Sequence, residues 1–95
     1  MIFLMNQISK TFDIKNKNIV ITGSSGTLGS QYSNFLSDAG ANLILIDLEK
    51  KSNEKLAKQI RKKYGTNCKS YTADISNKNE IKKISKEIIL DYKKI

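Results

Sequence analysis

The sequence predicts an α/β fold: a parallel sheet of alternating strands and helices, with helices on both faces. Short β-branched apolar runs alternate with longer stretches of helical periodicity, and a glycine-rich turn joins the first strand to the first helix. Repeated strand–helix units of about thirty residues imply parallel strands joined by right-handed crossovers.

Met1–Asn16 reads as a polar lead-in, and residues 17–95 read as one structural unit. Asn18–Thr22 is a continuous apolar run that a turn-rich stretch ends abruptly, as suits a central strand covered on both faces. A helix is predicted from about Thr27 to Ala39, with Leu28, Tyr32, Phe35, Leu36 and Ala39 on one face and Gly40 as its stop. Leu43–Ile46 is the second strand. Ser52–Tyr64 is the second helix, with Leu56, Ala57, Ile60 and Tyr64 inward, Lys outward and Gly65 closing it. Lys69–Thr72 forms a weaker third strand. The third helix starts near Ser76, where Asn77-x-x-Glu80 has the form of a capping box, and its stripe is Ile81, Ile84, Ile88 and Tyr92.

Composition narrows the chemistry. The chain has no His and one Cys, Cys68. A Ser-His-Asp triad, a Cys-His pair, a His-based zinc site and an internal disulfide are therefore excluded. No apolar run approaches the roughly 18–20 residues of a membrane helix, and Met1–Met5 is too short for a secretory signal. A cytoplasmic setting, without membrane or metal, is the expectation. The net charge of +8 arises wholly in residues 48–95, where Lys is interleaved with Ile, Leu and Ala rather than with aromatics. That pattern reads as solvated helix faces and not as a nucleic-acid surface.

The informative segment is Gly23-Ser24-Ser25-Gly26-Thr27-Leu28-Gly29, with a strand before it and a helix after it. In that context the glycines read as a dinucleotide-binding loop. Gly23 makes the tight turn, Gly26 lets backbone approach a pyrophosphate, and Gly29 lets the helix pack closely on the sheet. The phosphates would sit at the positive helix N-terminus. Asp47 ends the second strand eighteen residues after Gly29, close to the offset of a ribose-binding acid. A Walker A reading fails, because no Gly-Lys-Ser/Thr follows.

These residues resemble the opening of the short-chain dehydrogenase/reductase family. The resemblance runs from Phe12-Asp13-Ile14-Lys15-Asn16-Lys17 and Ile19-Val20-Ile21-Thr22-Gly23 through Asp47 to Ala73-Asp74-Ile75. It implies a Rossmann-type parallel three-layer sandwich, here its N-terminal β-α-β-α-β-α portion with strand order 3-2-1, ending before strand four. It also implies an NAD(P)-dependent oxidoreductase, with Asp47 at the adenosine ribose, Leu48 beside it in the cofactor site, and Asp74 and Ile75 against the adenine. Asp74 also reads as a turn residue ahead of the third helix. The acid at position 47 favours NAD over NADP, since it would repel a 2′-phosphate. The implied substrate is a small hydroxy or carbonyl compound, including a sugar or nucleotide sugar, and the complete protein is expected to be a homo-oligomer.

Two features pull in different directions within the family. The spacing Gly23-x-x-Gly26-x-x-Gly29 is similar to the extended epimerase/dehydratase branch, whereas the long third helix is similar to the dehydrogenase-type branch. The family's catalytic pair is Tyr-x-x-x-Lys, and position +4 is Leu36 after Tyr32, Cys68 after Tyr64 and Ile75 after Tyr71. No catalytic residue is assigned. The resemblance thus makes the chain a cofactor-binding portion, expected to be inactive alone. A stand-alone nucleotide-binding module is the remaining alternative.

Overall fold

The computed structural model describes residues 13–92. The expected lead-in falls largely outside them, as do residues 93–95. In chain order the elements are β1 (Asn18–Thr22), α1 (Thr27–Asp38), β2 (Asn42–Asp47), α2 (Lys50–Tyr64), β3 (Cys68–Thr72) and α3 (Lys78–Tyr92). The three strands form one parallel sheet in the order β1-β2-β3, which is the predicted arrangement. The register pairs Thr22 with Ile46 and Asp47 with Thr72, so the strands end together at one rim. Two bonds extend the ladder into the turns beyond it: Gly23 N–H to Ile46 O at 2.9 Å, and Ala73 N–H to Asp47 O at 3.2 Å.

β2 is the spine because it is buried from both sides. Leu43 and Leu45 pack with Leu56, Ala57, Ile60 and Cys68 on the face covered by α1 and α2. Ile44 and Ile46 pack with Tyr71, Ala73, Ile84 and Ile88 on the α3 face. Strand alternation thus divides one apolar run between two cores. Leu43, Ile44 and Leu45 are fully buried, and each contributes about 1.5–3 kcal/mol of transfer free energy.

The inward face of α2 matches the sequence reading, with Tyr64 at its margin and one addition, the buried Asn53. In α1 the apolar face is only partly covered: Leu28 and Tyr32 are exposed, Phe35 and Ala39 are half-buried, Leu36 packs half-buried against the core, and the fully buried residues are Ser33 and Ser37. The helix is turned by about one residue step, ~100°, from its apolar stripe. Ser33 tolerates burial because its hydroxyl donates to Gly29 O at 2.7 Å, whereas the Ser37 hydroxyl has no partner. Of the α3 stripe, Ile84 and Ile88 are buried, and Ile81 and Tyr92 are half-buried.

The capping box at the start of α3 is half formed. Asn77 Oδ1 accepts from the backbone of Asn79 at 3.0 Å and Glu80 at 3.2 Å. Glu80 does not reach back to Asn77, whose N–H already donates to Asp74 O. Its carboxylate accepts from Asp74 N–H instead. No helix among the described residues is long and apolar enough to cross a membrane.

Candidate nucleotide site

The rim where the strands end gathers the predicted residues. The chain leaves β1 through Gly23 at φ +65°, a left-handed turn that favours glycine. Gly26 follows at φ −70° and ψ 168°, ordinary extended backbone, and caps α1 without a side chain. Its usefulness is therefore the missing side chain and not its dihedral freedom. A Cβ there would meet only Gly23 O, at 3.5 Å. Gly29 is the opposite case. A Cβ on it would lie 2.2 Å from Gly23 O and 2.9 Å from Ser24 Cα, both backbone atoms. Gly29 therefore serves close packing of the helix on its own loop, where packing on the sheet was expected.

Asp47 sits at the end of β2 and reaches the loop. Its carboxylate accepts Ser25 N–H at 2.9 Å through one oxygen and Glu49 N–H at 2.9 Å through the other. Desolvation pushes its pKa up, but the combined donors from Glu49, Ser25 and Leu48 outweigh this and hold it below the ordinary carboxylate value. Asp47 is therefore ionised at neutral pH, with lone pairs left over for hydroxyl donors.

Asp47, Leu48, Asp74 and Ile75 line one cleft of about 160 Å³ with Gly23, Ile46 and Ala73. Leu48 and Ile75 are 63% and 56% exposed, leaving two apolar side chains open at its mouth. Asp74 Oδ1 accepts from the Ser76 hydroxyl at 2.6 Å and from Ser76 N–H at 2.9 Å. The Ser76 hydroxyl first, then its backbone N–H, hold the Asp74 carboxyl below its usual range. Asp74 thus performs the turn role and lines the cleft as well.

Of the predicted loop residues, Thr27 and Leu28 begin α1 beside the open cap, and Leu28 is 51% exposed. Ser24 turns the other way. It is fully buried, and its hydroxyl donates to Asn53 Oδ1 at 2.5 Å, so its side chain supports the loop from behind. Asn53 was missed by the sequence reading. Its signal was position: it precedes Leu56, Ala57 and Ile60 by three, four and seven residues, the inward slot of α2.

The short chain dehydrogenase family model matches residues 17–95. The chain belongs to the short chain dehydrogenase family. Among the relatives of this short chain dehydrogenase are an NADP-dependent mannitol dehydrogenase of Hypocrea jecorina and an uncharacterized oxidoreductase of Haemophilus influenzae. The first is 30% identical over 95% of this chain and 35% of that protein. The second is 34% identical over 95% of this chain and 31% of that protein. A Haemophilus influenza oxidoreductase solved with bound NAD superposes with a TM-score of 0.80 at 32% identity, over 90% of this chain and 30% of that one. The NAD+-bound structure of a xylitol dehydrogenase shares the fold, with a TM-score of 0.81 at 23% identity over 88% of this chain and 32% of that one. The chain spans about a third of the length of the curated relatives it matches.

Proposed function

We propose that this short chain dehydrogenase chain is the cofactor-binding front of an NAD(P)-dependent oxidoreductase, with NAD preferred over NADP. The observation that carries the reading is the ionised Asp47, tied to the glycine loop through Ser25 and sharing a cleft with Asp74 and Ile75. In this reading the nucleotide's pyrophosphate lies over Gly26 at the N-terminus of α1, where backbone N–H groups and the helix dipole favour an anion. Asp47 accepts from the ribose hydroxyls, and the adenine rests between Leu48 and Ile75. When bound, the nicotinamide supplies the hydride acceptor or donor. This chain's own residues bind and orient the adenosine half.

NAD is favoured because a 2′-phosphate would be brought against the Asp47 carboxylate. Lys50 and Lys51 follow closely and soften the preference, with Glu49 offsetting one of them. Several relatives are named as NADP-dependent mannitol dehydrogenases or sorbose reductases, which supports a sugar, sugar alcohol or similar hydroxy or carbonyl substrate. The glycine spacing favours a second reading, an extended-branch epimerase or dehydratase. The match to short chain dehydrogenases and the 15-residue α3 support the first. Because Tyr32, Tyr64 and Tyr71 have no lysine four residues on, the 95 residues alone are proposed to turn over no substrate. Calorimetric titration of the chain with NAD and NADP tests the reading. NAD binding the tighter of the two is expected, and tighter NADP binding overturns the preference.

A further inference from the structure

Asn53 is an amide side chain with no exposure, in a helix slot where an Ala or Leu would fill the core. A buried amide is costly unless its donors and acceptor are paired. Here they are. Nδ2 donates to Leu45 O at 3.0 Å and to Tyr71 O at 3.3 Å, carbonyls on the neighbouring strands β2 and β3. With its nitrogen committed to two acceptors, the amide can only turn its oxygen toward Ser24, whose hydroxyl donates to it at 2.5 Å. Ser24 is itself fully buried. The glycine loop is therefore tied down twice: Ser24 inward to Asn53, and Ser25 sideways to Asp47.

We propose that Asn53 is a positioning residue for the phosphate-bearing loop, acting through Ser24. It fixes the loop to the sheet before nucleotide arrives, so that Gly26 and the first N–H groups of α1 are already aimed at the pyrophosphate. Preorganisation of this kind raises affinity by reducing the ordering required on binding. The inference rests on the reading of the loop as the phosphate seat, and it concerns a residue that touches no ligand.

Two nucleotide probes separate the parts of the site. Adenosine engages the cleft at Asp47 and Asp74, whereas ADP adds the phosphates that lie on the loop. Titrations of the wild-type chain, Ser24→Ala, Asn53→Ala and the double variant are followed by NMR shifts, with the folded state of each checked by a thermal melt. Ser24→Ala keeps the Asn53 bonds to Leu45 and Tyr71, and so tests the loop even where Asn53→Ala fails to fold. The expected result for Ser24→Ala is ADP affinity weakened about three- to tenfold with adenosine affinity unchanged. The double variant should be no worse than Asn53→Ala alone, because the two side chains act as one link. ADP affinity unchanged in Ser24→Ala, or ADP and adenosine weakened alike, overturns the proposal. A wild-type chain that binds ADP no better than adenosine overturns the phosphate reading itself, and that result is seen without any variant.

Discussion

Gly26→Ser should move stability and cofactor affinity in opposite directions. Gly26 caps α1 in extended backbone at φ −70° and ψ 168°, a conformation that serine adopts freely as a helix cap. The new Cβ would make an ordinary contact with Gly23 O at 3.5 Å, so nothing has to shift. The hydroxyl would accept an N–H at the start of the helix, worth a few tenths of a kcal/mol over glycine. The stiffer unfolded chain adds about 0.4–1 kcal/mol. Together these amount to about 1 kcal/mol, or a melting temperature raised by about 4–8 °C in a domain of this size. The same hydroxyl occupies a donor that a phosphate oxygen would use in the proposed complex, and it fills the space over which the pyrophosphate would pass. Losing one hydrogen bond to a charged group costs about 1.5–3 kcal/mol, a ten- to hundredfold weaker NAD complex by the usual conversion of about 1.4 kcal/mol per decade. A thermal melt without nucleotide and a calorimetric titration with NAD read the two effects. A raised melt with NAD affinity within twofold of wild type would show that the phosphates do not sit at this cap. A lowered melt would refute the extended cap geometry.

Gly29→Ala should destabilise the chain by about 3 kcal/mol of overpacking, offset by about 1 kcal/mol of helix propensity, because its Cβ meets backbone atoms at 2.2 and 2.9 Å; an unchanged urea midpoint would contradict that contact. Asp47→Ala should weaken NAD about tenfold and narrow the gap to NADP, since Ser25 and Glu49 N–H lose their acceptor along with the ribose. The Asp47 pKa is depressed in the fold, so its contribution is present above the unfolded value of about 3.9 and lost only as pH falls through the lower folded value; NAD affinity that fell between pH 7 and 5 would contradict this. Burial, opposed by Arg61, raises the Cys68 thiol from 9.0 to about 11. The thiol's contribution to stability is therefore full below pH 9 and lost as pH rises toward 11, and a thiol reagent at pH 8 should label Cys68 only in unfolded chain. Finally, the 95-residue chain should self-associate in size-exclusion chromatography as concentration rises, because β1 is an edge strand among the described residues and its Val20 is 45% exposed on the sheet face; a monomer at every concentration would count against it.

The elements that were legible in the sequence are those whose environment is apolar and simple. The run Leu43–Ile46 reads as a continuous apolar strand and is one, with Leu43 and Leu45 in one core and Ile44 and Ile46 in the other; the two-sided cover expected for Asn18–Thr22 belongs to this strand instead, since β1 is half-exposed at the edge of the described sheet. α2 was legible because its Lys-rich outer face contrasts with Leu56, Ala57 and Ile60. The nearness of the glycine loop and Asp47 was legible in their spacing, and the structure joins them through Ser25 N–H and the Asp47 carboxylate. What escaped was polar and internal. Hydrophobic periodicity weights an asparagine as solvent-facing, so the link from Asn53 to Ser24 left no mark in it. Glu80 was read as half of a capping box, yet its carboxylate binds Asp74 N–H, a choice made by local geometry that sequence spacing does not contain.

The rotation of α1 follows from the same site. A helix that places its N-terminus over a tight turn must approach that turn closely, and Gly29 meets the backbone of Gly23 and Ser24 at distances no side chain could allow. Once that contact fixes one residue, a period of 3.6 carries Ser33 and Ser37, four and eight residues on, to the same face. Leu28 and Tyr32 are carried outward with it. Burying them instead would gain about 1.5–3 kcal/mol each but would put a bulky residue against the loop. The small-residue stripe Gly29–Ser33–Ser37 therefore decides the helix orientation over the stronger apolar stripe beside it. The deciding contact lies at the end of the helix that faces the proposed phosphates, so within this chain one backbone contact outweighs the hydrophobic pattern.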